Sequence, residues 1–360
     1  MELEEVKNLL IQAASQNVEV VKNAEQRLSE NAKLPAFYWA LTELGTRCDL
    51  YDVSVRIQAL CYLKNRIEAA WKSGKSNPDT DFVVSDEEKA TIRASLLNNL
   101  HEPVDSVIKI RSVVISKIAR KDYPEQWPTL VDTLAAILQT SPVQSVQHSR
   151  TLLILSEIMK TLASKRLPTC RRHFQQLSYD LIGPLVQLFE IHFDSLTNPD
   201  LAKTSAIAVH HCLKNLRFLL LWGITDIRCN EGACTFFTAF SEKFQWMIGF
   251  AVNSSIEILW NAASQFLKIV LGLQEKSALS LVPWLSSVLD AVNELAPLRS
   301  LLECLKDKNM KRSFSVLRLC DFVEQICEGM VYLEAARLIH RDLAARNILV
   351  FTTDKVSVTC

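Results

Sequence analysis

Apolar residues recur at helical spacing almost without a break from Leu3 to Leu273, and the whole 360-residue chain holds only 8 glycines and 11 prolines. Sheets with tight turns need more glycine than this, and long helices need less. The pattern therefore confines most of the chain to stacked helices. Leu3, Val6, Leu9, Leu10 and Ala13 share one face of a helix over Glu2–Ala14, and Val18–Ser29 repeats the pattern. Pro35 opens a third helix, and Val53–Trp71 has so broad an apolar set that it is expected to lie between neighbours. Ser73–Val84 reads as a loop around Gly74 and Pro78. Ser85 and Glu88 then have capping-box spacing. Pro103 suits the first position of a helix running to Lys121, and Tyr123–Pro128 reads as a corner with Trp127 as a core anchor. Further helices are predicted over Thr129–Leu138, Thr151–Ser164, Cys170–His192, Leu201–Trp222, Ala233–Val252 and Ser255–Leu273. Helices of this length joined by short connections, paired at a period of about 40–47 residues, describe an all-α solenoid of HEAT or armadillo type.

Charge and cysteine usage exclude several function classes. Lys and Arg number 40, as do Asp and Glu, so the basic excess of a nucleic-acid binder is missing. The basic cluster Lys165, Arg166, Arg171 and Arg172 lacks interleaved aromatics, and nucleic acid is not an expected partner. Ten scattered cysteines without a C-x-x-C pair, behind an acidic amphipathic start, fit free thiols in a reducing compartment, cytoplasm or nucleus. Apolar runs such as Phe218–Trp222 are too short to cross a bilayer, so no membrane is expected. His210, His211 and Cys212 with Cys229 and Cys234 match no zinc spacing.

From Val292 the character changes. Asn293–Leu305 and Leu317–Leu333 read as helical around a charged break, and Ile348–Phe351 and Lys355–Val358 as short strands. Between them stands His340-Arg341-Asp342-Leu343-Ala344-Ala345-Arg346-Asn347. It fits the kinase catalytic-loop template, in which the aspartate accepts the substrate hydroxyl proton and the asparagine holds Mg²⁺. The expected division is thus 1–289 and 292–360.

Five segments occur in order in the first part: Ala24–Leu28 (AEQRL), Val55–Asn65 (VRIQALCYLKN), Ser85–Lys89 (SDEEK), Tyr123–Pro128 (YPEQWP) and Lys160–Arg166 (KTLASKR). On these the chain resembles the N-terminal region of the importin-β superfamily of nuclear transport receptors, in particular its importin-11 branch. The resemblance covers Leu3 to Phe189 and fades through Leu289. It implies HEAT repeats whose inner helices grip the GTP-bound form of the small GTPase Ran, with import cargo held further along. Helices Val53–Trp71 and Pro103–Lys121 become the candidate surface, and Arg56, Lys64, Lys109, Lys117 and Arg120 the candidate partner contacts.

The second part resembles a cytoplasmic tyrosine kinase of the Syk/Shark type. The resemblance rests on Glu294–Leu298 (ELAPL) as a hinge, Leu319–Leu333 as the helix before the catalytic loop, and Ala344-Ala345-Arg346 as the tyrosine-kinase form of that loop. It implies Asp342 as proton acceptor, Asn347 as an Mg²⁺ ligand, and Arg341 and Arg346 as supporting residues. No G-x-G-x-x-G and no V-A-I-K-like strand occurs anywhere, and Ser357-Val358-Thr359 stands where D-F-G would follow. Activity is not expected, and ATP and Mg²⁺ would be cofactors only of a working kinase. A solenoid scaffold without Ran affinity is the remaining alternative. With its outer lobe missing, the tail is expected to leave Phe322, Ile326 and Met330 short of partners.

Overall fold

A computed structural model describes residues 2–71, 83–253, 256, 258–275, 299–306, 314–335, 343–345, 348–352 and 355–358. The chain divides into two compact units, Met1–Ala278 and Leu279–Cys360.

In the first unit twelve α-helices are described: α1 (Leu3–Ala13), α2 (Val18–Asn31), α3 (Phe37–Thr46), α4 (Val53–Ala70), α5 (Asp86–Leu97), α6 (Asp105–Asp122), α7 (Leu130–Thr140), α8 (Val146–Ala163), α9 (Pro168–Asp194), α10 (Ala202–Phe218), α11 (Glu231–Asn253) and α12 (Ile258–Glu275). Their starts are local chemistry. Asn17, Ser85 and Ser145 each accept a backbone N–H of the first turn, and Pro168 opens α9 where its missing N–H is harmless. Pro103 does not open α6. The helix begins at Asp105 because the Glu102 carboxylate accepts the Val104 N–H at 3.0 Å and ends the loop there. Ser85 caps α5 as its spacing predicts, but Glu88 does not complete the box. Its carboxylate reaches instead to the Ala36 and Trp39 N–H groups, 3.2 and 3.1 Å away, at the start of α3.

Consecutive helices pair as hairpins, α1 with α2 through α11 with α12. The even-numbered helices also stack side by side from α4 to α12, forming one continuous row. Between the two layers lies an apolar core that includes Leu41, Leu60, Leu63, Ile115, Ile158, Leu213 and Leu216, with Trp71 and Trp127 also buried. Deep burial in both layers is what holds the row, since a helix with one apolar stripe has little stability alone. Gly232 lets α11 cross α9 closely: a Cβ there would come within 2.9 Å of the Gly183 backbone.

The second unit has its own small core. Strand β1 (Arg299–Ser300) pairs antiparallel with β2 (Ile348–Thr352), which pairs antiparallel with β3 (Lys355–Val358) in the register Ile348↔Val358 and Val350↔Val356. Helices α13 (Leu301–Lys306) and α14 (Val316–Ala335) complete it. Leu301, Cys304, Phe314, Phe322, Ile348, Val350 and Val356 pack together, with Leu319 and Ile326 against them. This corrects the expectation for Phe322, which is 1% exposed: the hairpin supplies partners close at hand.

Candidate partner-binding face

The candidate face is built on the even row, so the fate of its charges decides what it can bind. Arg56 leaves the set of partner contacts. It is 2% exposed, and its guanidinium pairs with Glu102, itself 1% exposed. A charge so deep is stable only beside its counterion, and nothing remains to offer a ligand. The same carboxylate faces Arg111, whose guanidinium donates to the carbonyls of Leu96, Asn98 and Asn99 at the end of α5. Burial lowers the Arg111 pKa to about 10, with Glu102 opposing and Arg56 adding to the fall. Arg150 of α8 completes the knot by donating to the Glu102 carbonyl at 3.0 Å. This knot locks α4, α6 and α8 together beneath the surface.

The other four candidates stay near the surface. Lys64 and Lys117 are half-buried and adjacent: the Lys117 Nζ donates to the Lys64 carbonyl at 3.2 Å. Lys121 repeats this one turn on, reaching the Glu68 carbonyl at 3.4 Å. Lys109 is exposed, as is Arg120, which donates to Ser164 Oγ at 2.6 Å. The structure therefore brings Lys64 and Lys117 together and turns Arg120 toward the end of α8.

Sequence reading missed a second group further along the row. Glu157 of α8 pairs with Lys214 of α10 at 2.6 Å and with Lys160 at 3.5 Å. Burial pushes the Glu157 pKa up, and the two lysines overcome that and hold it below its ordinary value. Arg217 lies with its guanidinium carbon 4.4 Å from the centre of the Phe218 ring. Lys268 of α12 is exposed at its surface, and partial desolvation of its ammonium, with the positive charge of Arg217, lowers its pKa. His210 falls to about 4 through burial and the nearby positive charges of Lys214, Arg217 and Lys268. A signal was present: Lys203, His210, Lys214 and Arg217 follow helical spacing on α10, which contains no Asp or Glu.

Among the described residues no group of three or more His, Cys, Asp or Glu side chains could hold a metal, and no helix is long and apolar enough to cross a membrane. Arg341, Asp342, Arg346 and Asn347 lie outside the described residues, as does the hinge segment 294–298.

A family model for the importin-beta N-terminal domain matches residues 24–102, from α2 to the Glu102 knot. Importin-11 of Mus musculus is 35% identical over 190 residues, 53% of this chain and 19% of importin-11. The chain carries an importin-β N-terminal domain. It spans about a fifth of the importins it matches. The solenoid has the fold of nuclear transport receptors: Lph2 of S. cerevisiae, described as bidirectional, superposes with a TM-score of 0.66 at 24% identity, over 78% of this chain and 27% of Lph2. The C-terminal part of the chain is similar to a piece of a kinase domain. A model for protein tyrosine and serine/threonine kinases matches residues 268–359. The Activated Cdc42 kinase-like protein of Drosophila melanogaster is 65% identical over 69 residues, 19% of this chain and 5% of that protein. The tail thus matches kinases of the Ack type, where the sequence reading pointed to Syk/Shark. So short a stretch, centred on a loop that every tyrosine kinase needs, separates branches poorly.

Proposed function

We propose that this chain is an importin-like transport receptor segment that binds the GTP-bound form of Ran through the even-row helices α4 and α6, in nuclear protein import. The observation that carries this reading is the coincidence of the importin-β match over residues 24–102 with the stretch where the Glu102 knot fixes α4 against α6. Lys64, Lys109 and Lys117 supply the charge that face presents. Shuttling between cytoplasm and nucleus follows from the same reading. Phosphoryl transfer is not assigned to the tail, because no glycine-rich loop or phosphate-binding lysine strand precedes the catalytic-loop motif, and that chemistry rests almost wholly on positioned charge.

The test is calorimetric titration of the full chain with Ran loaded with a non-hydrolysable GTP analogue or with GDP. The expected result is binding of the GTP-analogue form at least about tenfold tighter than of the GDP form, weakened about tenfold by Lys109→Glu/Lys117→Glu. Equal affinity for both forms, or no binding at high micromolar concentration, would leave only the scaffold reading.

A further inference from the structure

The charges of α8, α10 and α12 lie outside the face assigned to Ran and have no role in that reading. Lys160 and Lys214 converge on Glu157, Arg217 follows Lys214 by one turn, and Lys268 stands across from Arg217 on the next helix. Among the described residues of α8 and α10, Glu157 is the one carboxylate, and Lys160 and Lys214 share it, while Arg150 of α8 is matched by Asp105. A row of like charges is self-repulsive, and a ligand that neutralises it gains what the fold has left uncompensated.

We propose that the α8–α10–α12 part of the even row binds an acidic, extended segment of a partner polypeptide. The spacing favours polypeptide over nucleic acid. Neighbouring packed helices lie about 8–10 Å apart, so a segment crossing the row meets a new basic group every two to three extended residues, at roughly 3.3 Å each. In polyproline II geometry, three residues per turn at about 3.1 Å each, carboxylates at every third residue share one face and match that interval. A phosphate backbone would bring charge more densely, and would set phosphates against Glu157 in the middle of the belt. The chain's balanced charge also lacks the global excess that nucleic-acid affinity needs. This assignment does not rest on Ran binding, and its test contains no Ran.

The probe is a fluorescein-labelled peptide with Glu at every third position, about nine to twelve residues long so as to cross three helices. It is titrated with the full chain and followed by anisotropy. Binding should weaken about tenfold as NaCl rises from about 50 to about 300 mM. Lys160→Glu/Lys268→Glu, at two exposed positions, should weaken it at least about tenfold. Glu157→Gln should tighten it about threefold by releasing Lys160 and Lys214, a gain that misfolding cannot mimic. No binding at the lowest salt, or an affinity that neither variant changes, would overturn the proposal. Tighter binding of a uridine oligonucleotide than of the peptide would overturn it in favour of nucleic acid.

Discussion

Replacing Glu102 by Gln tests how the candidate face is held. Glu102 is 1% exposed and is the buried counterion of Arg56, with Arg111 also in its field. Gln keeps the shape and can still accept the Val104 N–H, so the change removes charge while sparing the loop. Arg111 has carbonyl acceptors of its own, but Arg56 is left as a buried cation without a partner. Breaking a buried pair from one side costs about 3–5 kcal/mol. In a domain of this size class that lowers Tm by roughly 6–20 °C. Removing both partners behaves differently. The Arg56 Nε already lies buried without a hydrogen-bond partner, so the pair is imperfectly satisfied from the start. Arg56→Met/Glu102→Gln, which keeps the Val104 acceptor, should therefore recover most of the loss. Circular dichroism at 222 nm, followed through thermal and urea unfolding of the full chain, measures each variant. A Glu102→Gln variant within about 1 kcal/mol of the parent, or a double variant as unstable as the single one, would refute the argument.

Two further predictions concern the packing beneath the row. His148 and His192 lie with ring centres 5.2 Å apart, each with a buried Nε2 lacking a partner, and burial lowers both, His192 to about 4 from 6.5. The unfolded chain binds their protons more readily, so this stability is whole above about pH 6.5 and drains away toward pH 4. His192→Gln should flatten the pH dependence of the urea midpoint across that window, and an unchanged slope would exclude the pair as its source. Gly232→Ala should cost about 1–3 kcal/mol by forcing α11 off the Gly183 backbone. Gly249→Ala, where an added Cβ meets nothing within 4 Å, should be neutral or gain roughly 0.5–1 kcal/mol, and equal losses in both would show that close approach is not the cause.

The sequence by itself determined which segments are helices and which family they resemble. Both depend on neighbours a few residues apart: the periodic stripes, the Ser85 cap, Pro168 at a helix start, and the hairpin over Ile348–Val358 are local choices. Helix beginnings slipped where a neighbouring side chain competed for the first turn, as when Glu102 took the Val104 N–H and moved the start of α6 past Pro103. The destination of each charge was decided by the tertiary structure alone. Arg56 and Lys64 sit on one helix and look alike in sequence, yet one is sealed against a carboxylate 46 residues away while the other stays near the surface. Glu88 caps a helix about fifty residues upstream, where the local pattern pointed to its own. Lys214 meets Glu157 only because α8 and α10 stack. Periodicity records that a residue faces away from water, but a Coulomb interaction depends on distance and burial, which only the packed row defines.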